Sequence, residues 1–234
     1  MQELSDEAGL NNRLAKDTLA KTTALERERL NLQRYLPAFG FRNLFSDWIF
    51  INFLIYFGDD ELRAETDYQL SPQFFEIILD LDPYFADSYL FLTGSTTLYA
   101  GQPEKSVSLI ERGLESLGPG SPPRSYLVWR YKAIDELLFL GRTAAAQASF
   151  ETAADWAEQS DDPDATNIGE VSRRTAEFLA DDPDSRAAQI GAWTSIFTSV
   201  FDERAQALAQ QRIEALGGII EVLPNGAVQV RIPE

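Results

Sequence analysis

The chain contains no cysteine and no histidine. Without cysteine there are no disulfides, no thiolate metal sites and no cysteine nucleophile. The compartment stays open, because such a chain survives oxidising and reducing surroundings alike. Without histidine the commonest general base and the commonest metal ligand are lost together. Basic side chains are scarce: 20 Lys and Arg stand against 37 Asp and Glu, a formal net charge of -17 at pH 7. A field of that sign repels nucleic-acid phosphate and anionic lipid head groups, and favours a basic protein partner. Residues 1–40 hold six basic and six acidic side chains, so the whole excess lies in residues 41–234. Long apolar runs are missing too. The most apolar stretch, Trp48 to Phe57, has ten residues, against about 20 for a membrane-spanning helix. It reads as a buried helix. Met1 to Glu7 is acidic and has no apolar core, unlike a secretory signal. The expectation is a soluble chain, cytoplasmic by default. An anchor or signal upstream of residue 1 is compatible with the same sequence, and membrane association would come only through such an anchor or a partner.

What is present is helical periodicity. The 234 residues are 44% hydrophobic, ample for a sizeable core, and strand-type alternation is nearly absent before the C-terminal tail. Residues 3–36 read as a long helix with a thin apolar stripe, Leu10 and Leu14, then Leu25, Leu32 and Leu36. Pro37 and Gly40 break it. Gly58 to Gln69 reads as an acidic loop. Ser71-Pro72 opens a short helix, since Ser caps well and Pro suits the first helical position.

From Pro83 to Glu158 two helical hairpins follow one plan. With Gly101 laid over Gly141, an offset of 40 residues, each glycine ends an apolar helical run. Glycine stops a helix because it enters the left-handed conformation without steric penalty. Beyond each glycine come small, bulky and small residues in turn: Ser106, Ile110, Gly113, and Ala146, Phe150, Ala153. Small side chains there let the second helix of a hairpin lie close to the first.

These features resemble the tetratricopeptide repeat, a unit of two antiparallel helices about 34 residues long. Gly94 stands at the family's small position in the first helix. The glycines match its inter-helix turn, and the two triplets match its second helix. Pro119, and more loosely Pro163, approach its terminal proline. The aromatic near the start of the first helix is displaced by one, to Tyr89 and Trp129, and Ile134 replaces a small residue. The offset exceeds the family period, so the linker Gly118 to Pro123 reads as an insertion. Residues around Phe41-Arg42-Asn43-Leu44, Asp47-Trp48, Tyr56-Phe57-Gly58-Asp59 and Leu81-Asp82-Pro83 also resemble a group of bacterial tetratricopeptide-like proteins.

The resemblance implies a mostly α fold, a right-handed helical-hairpin solenoid over residues 41–217. A long N-terminal helix lies in residues 1–40 and a C-terminal β-hairpin in residues 218–234. It also implies that the first helix of each hairpin lines a groove for a partner segment. The positions concerned are Phe91, Leu92, Ser95, Leu98 and Tyr99, then Tyr131, Lys132, Asp135, Leu138 and Phe139. Family members that clamp the C-terminal carboxylate of heat-shock chaperones use Lys, Arg and Asn there. Lys132 alone cannot make that clamp, so an apolar or basic segment is the expected ligand.

No catalytic constellation stands out, and no metal or cofactor is expected. Asp-Asp-Pro-Asp occurs at 161–164 and again at 181–184. Clustered carboxylates suit Ca²⁺ or Mg²⁺, but no EF-hand spacing follows. The local reading is helix initiation, in which Asp satisfies orphan amides and complements the helix dipole. Asp135 and Glu136 are adjacent on a helix, about 100° apart, and do not face one substrate. Glu136 reads as solvated. Trp48, Trp129, Trp156 and Trp193 read as core.

Helices are expected at Ile168 to Ala180, Ser185 to Val200 and Glu203 to Leu216. Alternation on either side of Pro224-Asn225-Gly226 gives the β-hairpin. The function that follows is a non-catalytic scaffold or assembly factor that binds another protein. The alternatives are a carboxylate- and metal-dependent enzyme, or a structural subunit held through its N-terminal helix or C-terminal hairpin.

Overall fold

The computed structural model describes residues 21, 23–35, 40–66, 68–181, 186–199, 203–222 and 228–231. The apolar positions Leu10, Leu14 and Leu36, the second Asp-Asp-Pro-Asp beyond Asp181, and the Pro224-Asn225-Gly226 turn lie outside the described residues. The chain is mostly helical, with one two-stranded antiparallel sheet at the C-terminal end.

Helix α1, residues 23–33, buries Leu30 against α2 (Arg42–Gly58) and its neighbours. Arg29 Nη2 donates to Asn52 Oδ1 at 2.9 Å and its guanidinium lies 5.3 Å from the Trp48 ring centre. Arg34 pairs with Glu76 on α4 (Ser71–Leu81). Helix α2 is not a buried helix. Ser46, Ile49, Phe53 and Tyr56 face the core, while Ile51 and Ile55 are 54% and 67% exposed. The run is apolar on both sides, so composition alone hid which side was covered. Asp60–Glu65, expected as loop, forms a short helix α3. Asp59 Oδ1 accepts the Leu62 amide at 2.9 Å, and Asp60 and Glu61 complement its positive end. At α4 the expected cap fails: the Ser71 hydroxyl is buried without a partner.

Two hairpins follow. Helix α5 is α-helical over Ser88–Leu92 and continues as a π-helix over Thr93–Tyr99. It is paired with α6 (Pro103–Leu114). Helix α7 does the same, α-helical over Tyr126–Ile134 and π-helical over Asp135–Phe139, and pairs with α8 (Thr143–Ala157). Both π segments close alike. Ala100 N–H donates to Ser95 O and Leu140 N–H to Asp135 O, at 3.0 and 3.2 Å. Gln102 N–H donates to Thr96 O and Arg142 N–H to Glu136 O, at 2.9 and 2.8 Å. Gly101 and Gly141 follow at φ +65° and +62°, the left-handed region that the turn requires.

The 40-residue offset extends further than the glycines. Phe85 N–H donates to Asp82 O, Ser125 N–H to Pro122 O, and Ala165 N–H to Asp162 O. Pro83, Pro123 and Pro163 sit beside these bonds at the same offset. The linker at 118–123 therefore belongs to the unit's own length and is not an insertion into a shorter period.

Gly113 lies under Tyr89: a Cβ added there would meet the Tyr89 hydroxyl at 1.9 Å. Gly94, by contrast, has open space around its Cβ position, so close helix contact is not its role. Helix α9 (Ala165–Asp181) packs on α8, where a Cβ on Gly169 would meet Ala157 Cβ at 2.9 Å. Helices α10 (Arg186–Ser199) and α11 (Glu203–Ala215) form a last pair. The strands β1 (Ile219–Val222) and β2 (Val228–Arg231) pair with Ile219 opposite Arg231. Ile220 and Val230 pack on the cluster of Ile190, Trp193, Ala209 and Ile213. A lone β-hairpin is marginal in water, and this contact supplies its support.

Candidate functional site

The expected groove residues divide into an interior set and a surface set. Ser95, Lys132 and Asp135 are interior, at 2%, 8% and 2% exposure. They are not available to a partner segment. Ser95 and Asp135 lie in the π-helical turns, where Ser95–Thr97 and Asp135–Leu137 are all buried.

Asp135 Oδ2 accepts the Thr97 hydroxyl at 2.8 Å and the Ser106 hydroxyl at 2.7 Å. Burial pushes its carboxyl up to about 7, against the lowering effect of the Ser106 and Thr97 hydrogen bonds, and the neighbouring Glu136 charge adds to the rise. Glu136 is not solvated as its charge suggested; it is 3% exposed. Its Oε1 accepts from Lys132 Nζ at 2.5 Å and its Oε2 from the Ser149 hydroxyl at 2.7 Å. Adjacent carboxylates thus point to different neighbours, Asp135 to the preceding hairpin and Glu136 to α8. Every oxygen named has a protein donor. Asp135 thus ties its hairpin to the preceding one, and Glu136 ties α7 to α8 within its own.

The surface set is shaped by two contacts. At the glycine end, Phe139 stacks edge-on against Trp193 with ring centres 4.5 Å apart, and Trp193 Nε1 donates to Leu138 O at 3.2 Å. Leu98 joins the same cluster. The chain's own α10–α11–β module thus covers Leu98, Leu138 and Phe139. Tyr99 packs against Phe57 and Tyr68. At the other end the flank is open. Leu90 and Phe91 on α5 are 52% and 39% exposed, and Leu54 of α2 is 40% exposed. Phe91 leans edge-on against Phe50. Tyr131 is half-buried; burial raises its hydroxyl pKa, the Arg124 and Arg130 charges oppose the rise, and Asp87 adds to it. Arg124 is paired with Asp87 at 3.0 Å.

Two other places were candidates by composition. In the first Asp-Asp-Pro-Asp, Asp162 Oδ2 accepts the Tyr126 hydroxyl at 2.9 Å and its Oδ1 accepts the Asp164 amide at 3.2 Å, in the turn that opens α9. A cleft of about 590 Å³ between α8 and α9 is lined by Glu158, Gly169, Arg173, Arg174 and Glu177. Arg173 is already held there by Asp155 and Glu158, at 2.9 and 2.5 Å. Among the described residues, no group of three or more Asp and Glu side chains is placed to hold a metal ion. Among them, too, no helix is long and apolar enough to cross a membrane. Of the four tryptophans only Trp193 is fully buried, and Trp48 is 40% exposed.

Sequence reasoning placed the interaction surface along all of α5 and α7. It assigned the apolar residues of α2 to the interior, where Leu44, Trp48, Ile51, Leu54 and Ile55 are in fact exposed. The signal available was the spacing of that run, with apolar residues on every side of the helix. Compared with protein-family models, with curated proteins and with solved structures, the chain matches none.

Proposed function

We propose that the chain is a non-catalytic protein–protein interaction scaffold, a tetratricopeptide-like solenoid whose hairpins stack at a 40-residue period. The in-register loop bonds at Phe85, Ser125 and Ala165 support the stacking. The observation that carries the function is the open apolar flank, Leu90 and Phe91 on α5 with Leu54 on α2. Asp135 and Glu136 are engaged within the fold, so what the flank offers is apolar area in an acidic field. The ligand is therefore an apolar segment of another protein that carries basic side chains, steered by the net charge of -17.

The test is affinity capture with the intact chain beside Leu90→Asp and Phe91→Asp variants of unchanged melting temperature. Loss of the same captured protein from both variants is the expected result. Capture that survives both substitutions removes the flank from consideration. Magnesium or calcium titration followed by heat checks the enzymatic alternative, since a specific metal site raises the melting temperature.

A further inference from the structure

The open flank continues into the next hairpin with a change of chemistry. At the 40-residue offset Leu90 is matched by Arg130 and Phe91 by Tyr131. The helices that carry them, α5 and α7, pack on each other. An apolar pair in the first hairpin thus becomes a cation and a phenol in the second. Arg130 is half-buried. Its guanidinium lies 5.8 Å from the Phe150 ring centre on α8, and Nη1 donates to Ser172 Oγ on α9 at 3.0 Å. A guanidinium has five N–H donors. The others have no partner among the described residues, and none of them is sealed from solvent.

This guanidinium lacks an anion. Arg112 of α6, Arg124 ahead of α7 and Arg173 of α9 each meet a carboxylate, at 3.2, 3.0 and 2.9 Å. Arg130 meets none among the described residues, in a chain with 37 Asp and Glu. Burial pulls its pKa down, and only the Tyr131 and Tyr126 hydroxyls oppose the fall. Holding a cation partly out of water without a counter-charge costs free energy in the free chain. A ligand carboxylate offsets that cost through paired hydrogen bonds to the planar guanidinium. The Tyr131 hydroxyl feels the charges of Arg124 and Arg130 and has no hydrogen-bond partner among the described residues. Burial raises its pKa, so it stays protonated and able to donate. A net charge of -17 repels small free anions. The carboxylate therefore arrives as one side chain of a larger segment that other contacts hold.

We infer that Arg130, with the Tyr131 hydroxyl, seats one acidic side chain of the partner segment whose apolar side chains lie on Leu90, Phe91 and Leu54. The inference rests on the proposed partner flank and adds a pattern to its ligand. Packed helices stand about 8–10 Å apart and an extended segment rises about 3.3 Å per residue, so acid and apolar anchor lie about three residues apart. A random peptide library displayed on phage is selected on the intact chain and, in parallel, on Arg130→Leu, Arg130→Glu and Leu90→Asp. Peptides enriched on the intact chain carry an Asp or Glu at that spacing from a large apolar residue. On Arg130→Leu, which copies Leu90, the acid disappears and the apolar residues remain. On Arg130→Glu a Lys or Arg takes its place. A peptide selected on the intact chain binds Arg130→Leu about tenfold more weakly, and changing its acid to the amide removes the difference. Apolar peptides without a fixed acid, or the same acid on Arg130→Leu, overturn the seat and leave the flank standing. An Arg130-dependent acid in peptides indifferent to Leu90→Asp removes the flank instead, and no enrichment on the intact chain removes both. Thermal melting tests a purely structural role. Arg130→Leu melts no lower than the intact chain, since it removes a half-buried charge; a lower melting temperature makes the guanidinium a tie between α7 and α9 and overturns the inference.

Discussion

Replacing Asp135 with asparagine isolates the cost of burying its charge. The carboxyl is 2% exposed, and its pKa moves from 3.8 up to about 7, chiefly through desolvation. The folded chain therefore holds this proton more tightly than the unfolded chain. Between those values stability falls as pH rises, and the penalty is complete above about 7. The rise from 3.8 to about 7 corresponds to at most about 4 kcal/mol. Asparagine keeps a carbonyl oxygen where Oδ2 accepts the Thr97 and Ser106 hydroxyls, so both donors stay satisfied. It carries no charge to bury. The Asp135→Asn chain should therefore be the more stable form at alkaline pH. Its advantage should widen by about 2–3 kcal/mol between pH 5 and pH 8. Urea unfolding of both chains at each pH measures this directly, and titrating groups not coupled to residue 135 cancel in the difference. A gap that does not change with pH refutes the reasoning. Asp135→Ala is the control: it strands two buried hydroxyls, at about 1–3 kcal/mol each, at every pH.

Gly113→Ala should destabilise the chain by about 1–3 kcal/mol, because the new methyl displaces the Tyr89 hydroxyl from Pro83 O; Gly94→Ala, with open space, should be neutral or stabilising by up to about 1 kcal/mol in the same thermal melts. Lys132→Met leaves the Glu136 carboxylate buried without its ammonium and should cost about 3–5 kcal/mol, most of it recovered when Glu136→Gln is added. Trp193→Ala should cost about 3–5 kcal/mol and raise hydrogen exchange at Leu138, Phe139 and the terminal strands before the rest of the chain.

Much of the architecture was legible because glycine and proline are local instructions. Gly101 and Gly141 announce positive-φ turns whatever surrounds them, and both are found there. The alternation of Ile219 to Val222 and Val228 to Arg231 is likewise a local pattern, and the strands form. Pro83, Pro123 and Pro163 were equally readable at the same offset, but attention to a 34-residue period disguised the middle one as an insertion. What could not be read were the pairings between distant elements. Asp135 finds Thr97 and Ser106 only after two helices have packed. A carboxylate on a helix is ordinarily solvated, so Glu136 gave no sign of its burial. The covering of Phe139 by Trp193, 54 residues later, is a tertiary event with no local signature. On α2, composition showed that the run was apolar and was silent about which half of its circumference met a neighbour.

The shared widened turn bears on the chain's ancestry. Helices seldom admit an extra residue, yet α5 and α7 both do so, at matching places and with matching closing bonds. Such an irregularity is more simply inherited once than invented twice.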